Sequence, residues 1–122
     1  MNNNAIRKEV ARIIDRLPKR FRDRLENLEI VVDDFPSPEA LLEVGLNPDT
    51  DVLYGLYQGV PLPERSSLDP PLLPDKITLF AEVLRRDYPD PQELKDEIRI
   101  TVLHEIAHYF GLDEEAIENL GY

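Results

Sequence analysis

Residues Asp90–Gly111 read DPQELKDEIRITVLHEIAHYFG and carry the strongest helix signal in the chain. Asp90, Pro91 and Glu93 make a capping box with proline at the first helical position: the aspartate accepts orphan backbone N–H bonds and the glutamate reaches back. Gly111 supplies the left-handed residue that ends such a helix. Between these signals Ile98, Ile100, Val102, Leu103, Ile106, Ala107 and Phe110 fill almost every direction around the axis. A helix so apolar is buried, with one narrow polar slot. With His104 set at zero, Glu97 falls at about +20°, His108 at about +40°, Thr101 at about +60° and Glu105 at about +100°.

That slot holds both histidines of the protein, in His104-Glu105-Ile106-Ala107-His108. Two histidines placed at random fall four apart in about one pairing in sixty, so the motif has a low false-positive risk. Residues four apart are displaced by only ~40° around a helix, so both imidazoles project from one face, one turn apart. They can reach a single zinc ion at ~2.0–2.1 Å. Glu105 stands about a quarter turn away, poorly placed as a ligand and well placed to take a proton from a metal-activated water.

A catalytic zinc site usually has three protein ligands and one open position. Gly111, three residues after His108, lets the chain double back, and the side chain three positions further on is Glu114. Glu114 is therefore a candidate third ligand. Asp113, Glu114 and Glu115 equally suit the first turn of a following helix, where acids favour the positive end of the dipole. Asp113, Glu115 and Glu118 remain alternatives for the metal.

Outward from this helix, Ile6, Val10, Ile13, Ile14 and Leu17 recur at helical spacing and predict an amphipathic helix over residues ~4–17. Pro18 ends it and opens a short second helix with Phe21 and Leu25 facing inward. Residues 28–32 read as a strand. Ser37-Pro38 caps a short helix over Glu39–Val44, ended by Gly45. Ten of the eleven prolines lie between Pro36 and Pro91, which predicts strands and ordered loops there. Residues 52–60 are one such strand, placed at a sheet edge by Pro61 and Pro63. Residues 61–75 are a proline-rich loop, and residues 76–80 a further strand. Asp113 caps a last short helix that closes at Gly121. Helices, then strands, then a long helix predict one α+β domain over residues 1–122 with a small sheet.

The composition limits what such a domain does. At 122 residues the chain supports a single core, burying roughly two-thirds of its unfolded surface. Zero cysteines exclude disulfides, thiolate metal sites and a cysteine nucleophile. A net charge of −11 disfavours nucleic acid as a partner. The charge is uneven: residues 1–27 carry eight bases and four acids, the rest six bases and 21 acids. The basic segment reads as a solvated helix face against an acidic body. No apolar run approaches the ~18 residues of a membrane span, and the start at Met1-Asn2-Asn3 has no apolar leader; a soluble, cytoplasmic protein is expected.

His104–Glu114 resembles the HExxHxxGxxH/D signature of metzincin-type zinc peptidases, with glutamate in the eleventh position. With Met1 the sole methionine, no Met-turn is expected. The chain is most similar to the small zincin-like metallopeptidase family of bacteria. The similarity runs through Gly55-Leu56-Tyr57-Gln58-Gly59-Val60-Pro61-Leu62-Pro63-Glu64-Arg65-Ser66, Ile77-Thr78-Leu79-Phe80, and Thr101 to Tyr122. It implies a minimal zincin fold, with a small mixed sheet against a buried active-site helix, and peptidase activity. In zincins an edge strand bordering the cleft pairs with extended substrate, a role that falls to residues 52–60, with Glu64 and Arg65 beside it.

The expected function is thus a zinc peptidase acting on peptides or proteins. His104, His108 and Glu114 would hold Zn2+, and Glu105 would act as the general base. Tyr57, Tyr109 and Arg65 are candidate oxyanion stabilisers. A catalytically weak zinc- or peptide-binding module is the alternative, and the intact Glu105 counts against it. A third expectation, a metal-dependent ribonuclease with an H-G-x-x-H-x-x-G-x-D-H motif, matches at Asp113. It departs at Glu105 and Glu114, and the acidic charge disfavours RNA.

Overall fold

A computed structural model describes residues 1–64 and 75–122. Helix α1 (Asn3–Asp15) is capped by the Asn2 side chain on the Ala5 N–H. Its stripe of Ile6, Val10 and Ile13 is buried. Helix α2 (Lys19–Arg22) follows, then strand β1 (Leu28–Asp33) and helix α3 (Pro38–Glu43), with Ser37 accepting from the Ala40 N–H. Strand β2 (Gly55–Gln58), a 3-10 turn over Leu62–Glu64 and strand β3 (Asp75–Phe80) complete the sheet. Helix α4 (Ala81–Asp87), helix α5 (Pro91–Tyr109) and helix α6 (Glu114–Asn119) end the order.

The α+β architecture expected from the sequence is observed. The sheet is mixed, in the order β1-β3-β2: β3 runs parallel to β1 and antiparallel to β2. Strand β3 is buried on both faces: Ile77 and Leu79 are fully buried on one, and Thr78 and Phe80 are buried on the other. Helix α5 packs on the sheet against β2 and β3, with α1 beside it and against β1. Ile98, Val102 and Ile106 from α5 join Ile6, Val10, Ile77 and Leu79 in one core. Each fully buried side chain of this kind contributes about 1.5–3 kcal/mol relative to exposure. The site-bearing helix is therefore the one most firmly fixed by the core.

Three expectations change. The strand over residues 52–60 shrinks to β2. Its last link toward β3 is the Phe80 N–H donating to the Tyr54 carbonyl; β3 then passes straight into α4, so Val52 and Leu53 have no strand beside them. At the other end Pro61 lacks an N–H, and Val60 is exposed. The edge position of this strand holds. Helix α4 was not expected in a segment predicted from its prolines as strand and loop. It lacks a side-chain cap and follows β3 without a break, so no start signal marks it, yet Ala81, Val83 and Leu84 are buried. Phe21 is not an inward residue: 37% of it is exposed, and its ring meets Phe110 edge-on at 5.5 Å. Leu25 does pack on the core.

Candidate metal and catalytic site

Helix α5 enters with Asp90 accepting from the Glu93 N–H at 3.1 Å. It leaves through Gly111 at φ +92°. There the Gly111 N–H bonds the His108 carbonyl and the Leu112 N–H bonds the Ala107 carbonyl, the paired reach-back of a Schellman ending. This reversal turns the chain back along the slot of α5. Asp113 then caps α6 by accepting from the Ala116 N–H at 2.9 Å, and buried Ile117 pins the helix down. Glu114, the first residue of α6, is delivered to the two histidines.

His104 Nε2 lies 3.2 and 3.1 Å from the two carboxylate oxygens of Glu114, and His108 Nε2 lies 2.6 Å from Oε1. The other ring nitrogens face main-chain carbonyls at 3.2 Å, His104 Nδ1 that of Tyr122 and His108 Nδ1 that of Leu112. A carbonyl only accepts, so each Nδ1 carries a hydrogen and each Nε2 is left with its lone pair toward Glu114. Lone pairs of nitrogen and carboxylate oxygen converging this closely need a cation between them, a proton or a metal. Two donors on a tetrahedral zinc at ~2.0–2.1 Å stand about 3.3 Å apart, close to the His104–Glu114 spacing and wider than the 2.6 Å between His108 and Glu114, which would have to open to admit the ion. The donor set fits zinc.

His104, Glu105 and His108 also form a group whose ligand atoms lie within 4.8 Å of one another. Glu105 nevertheless differs from Glu114 in its bonding. Its Oε1 accepts from the Tyr57 N–H of β2 at 3.0 Å, and its Oε2 stands 3.9 Å from His104 Nε2. Of the four candidate acids, Glu114 touches both imidazoles, while Asp113 is occupied as a cap.

The electrostatics follow from this crowding. Burial raises the Glu105 pKa above its ordinary value, and both histidines and the Tyr57 N–H oppose that rise without cancelling it. Burial disfavours charge on His104, but the Tyr122 carbonyl, Glu105 and Glu114 outweigh it and raise its pKa. For Glu114 the penalty of burial is overcome by the two histidines, which lower its pKa.

A cleft of about 470 Å3 opens over these groups. Gly55, Leu56 and Tyr57 of β2 form one wall, and Glu64, Leu112 and Asp113 stand opposite or beside it. Gly55 is needed for the close approach of β2 to α5. A β-carbon there would lie 2.6 Å from Thr101 Cγ2 and 3.3 Å from Glu105 Cγ. The sequence did not single out this glycine, nor the Tyr57 N–H; a main-chain donor leaves no mark in side-chain patterns.

A model of the zincin-like metallopeptidase family matches residues 25–122, about four-fifths of the chain. The chain belongs to that family. No curated protein matches it. The zincin-like match spans β1 to α6, so α1 and α2 lie outside it. Zinc is the metal typical of zincin-like proteins, and the His104–Glu105–His108 group is one that could hold a metal ion.

The oxyanion candidates of this zincin-like chain are revised. Tyr109 is 1% exposed and donates its hydroxyl to the Arg24 carbonyl at 2.6 Å, so it faces the core. The Tyr57 hydroxyl donates to buried Asp75, leaving only its main chain at the cleft. Arg65 lies outside the described residues. Among the described residues no helix is long and apolar enough to cross a membrane.

Proposed function

We propose that this zincin-like protein is a zinc-dependent peptidase that hydrolyses internal bonds of extended peptides. The observation that carries the proposal is the convergence of His104, His108 and Glu114 beside a carboxylate, Glu105, bonded to the cleft's edge strand. His104 and His108 would hold Zn2+ through Nε2, and Glu114 would complete the ligand set. When bound, the ion would supply Lewis acidity for the scissile carbonyl and a lowered pKa, toward ~7, for the attacking water.

Glu105 handles the proton. Its Oε1 is fixed by the Tyr57 N–H, so Oε2 faces the cleft. Oε2 accepts a proton from the water as it attacks, and returns it to the leaving amine nitrogen.

Strand β2 binds the substrate. Tyr54 turns its carbonyl to β3 and Tyr57 turns its N–H away to Glu105. By the alternation of an antiparallel strand, Gly55 presents its main chain to the open edge. An extended peptide adds there by main-chain hydrogen bonds. The protein acts in the cytoplasm and needs neither nucleic acid nor membrane.

Bound zinc measured by elemental analysis, with chelator-sensitive cleavage of casein, tests this reading. Glu105→Gln is expected to keep its zinc and lose cleavage by at least about 100-fold. Wild type that binds zinc and cleaves nothing would leave a peptide-binding module instead.

A further inference from the structure

A second cavity, of about 300 Å3, lies beside the main cleft and shares Leu53, Gly55, His104 and Glu105 with it. The two therefore flank the position of the attacked bond along β2. The second cavity is walled by Val52, Tyr54, Ile100 and Tyr122, with Thr101 at its inner side. It also contains Glu97, seven residues before His104 and so about 10 Å back along the same helix face.

Glu97 is half-buried, and among the described residues it makes no hydrogen bond or ion pair. Arg99, two residues on, places its guanidinium 5.9 Å over the Tyr122 ring. Neither cavity is lined by a lysine or arginine among the described residues. Glu105 lies at the end of this cavity nearest the attacked bond and Glu97 at its far end, with Val52, Leu53, Ile100 and the rings between them; that arrangement suits a side chain with an aliphatic stem and a cationic tip, the stem packing on the apolar wall and the tip meeting Glu97. A neutral or acidic side chain there would leave Glu97 without a partner, or face it with like charge.

On these grounds we infer that Glu97 is a specificity-determining residue that receives a lysine or arginine side chain of the substrate. The inference rests on the peptidase reading and adds a substrate class to it: peptides with a basic residue on the Thr101 side of the cleaved bond. A half-buried charge pair of this kind discriminates by about ten-fold.

The test uses zinc-loaded full-length protein and positional peptide libraries with Lys, Arg, Gln, Met or Glu at each site. The inference expects Lys and Arg to exceed Gln and Met by about ten-fold in kcat/KM at one position only. Glu97→Gln should bring that ratio near one, and Glu97→Lys should turn the preference toward Glu. Cleavage without a basic preference, or with one that survives Glu97→Gln, overturns the inference and leaves the peptidase reading standing. If nothing is cleaved, that reading fails, and binding of the Lys and Gln peptides to zinc-loaded Glu105→Gln protein decides. A Glu97-dependent difference in fluorescence anisotropy supports the inference, and equal or undetectable binding overturns it.

Discussion

The Tyr57 main-chain N–H donates to Glu105 Oε1 at 3.0 Å, tying the edge strand to the central acid of the buried helix. The bond depends on how closely β2 approaches α5, and Gly55 sets that approach through its contact with Thr101 and Glu105.

Gly55→Ala should push β2 away from α5, because the new methyl would lie 2.6 Å from Thr101 Cγ2. Overpacking of this kind costs about 1–3 kcal/mol of stability. Zinc content should hold, since the atoms nearest a β-carbon there belong to Thr101, Glu105 and Thr78 and not to either histidine, while peptidase activity falls about 100-fold. Adding Thr101→Ser removes the clashing methyl and should restore part of both. Denaturant melts and casein cleavage on the single and double variants check this. Full activity in Gly55→Ala would detach the strand from the acid's orientation.

Gly111→Ala strains the turn that delivers Glu114. The residue sits at φ +92°, and a β-carbon would lie 2.6 Å from Pro63 Cγ. A loss of about 1–2 kcal/mol is expected from the backbone alone. Zinc affinity should fall as well, because Glu114 follows the turn by three residues. Isothermal titration with zinc, beside a thermal melt, measures both; an unchanged affinity would mean that Glu114 contributes nothing to the metal.

The metal-free protein should be most stable in mildly acidic solution. His104 has its folded pKa raised above 6.5, so its stabilisation is present below pH 6.5 and is lost as pH rises through the folded value. Glu114 has its folded pKa lowered from 4.5, so its stabilisation is present above pH 4.5 and is lost as pH falls through the folded value. Zinc must displace the proton on His104, so its affinity should rise with pH across the same upper range. Thermal melts of chelator-treated protein from pH 4 to 9 check the first claim. The alkaline decline should flatten in His104→Asn.

Much of this arrangement was legible in the sequence, and the physical reasons differ between elements. The helix over Asp90–Gly111 announces itself because its cap, its apolar directions and its terminal glycine agree. The convergence of His104 and His108 follows from helical spacing alone. Glu114 was harder, since one residue type serves both a metal and a helix start, and here it stands in both places: in the first turn of α6 and against both imidazoles. What stayed hidden was the work of the main chain. The carbonyls of Tyr122 and Leu112 that set the two rings, and the N–H of Tyr57 that sets Glu105, belong to no side-chain pattern. Helix α4 was hidden for another reason: its buried Val83 and Leu84 follow a strand directly, with no cap to mark a boundary.

Anomalous difference density recorded at the zinc edge from crystals of zinc-loaded protein tests the metal assignment most directly. The expected result is one peak bonded to His104 Nε2, His108 Nε2 and a Glu114 carboxylate oxygen, with Glu105 outside bonding distance. A peak that omits Glu114 or either histidine, or no peak in that cleft, would contradict it.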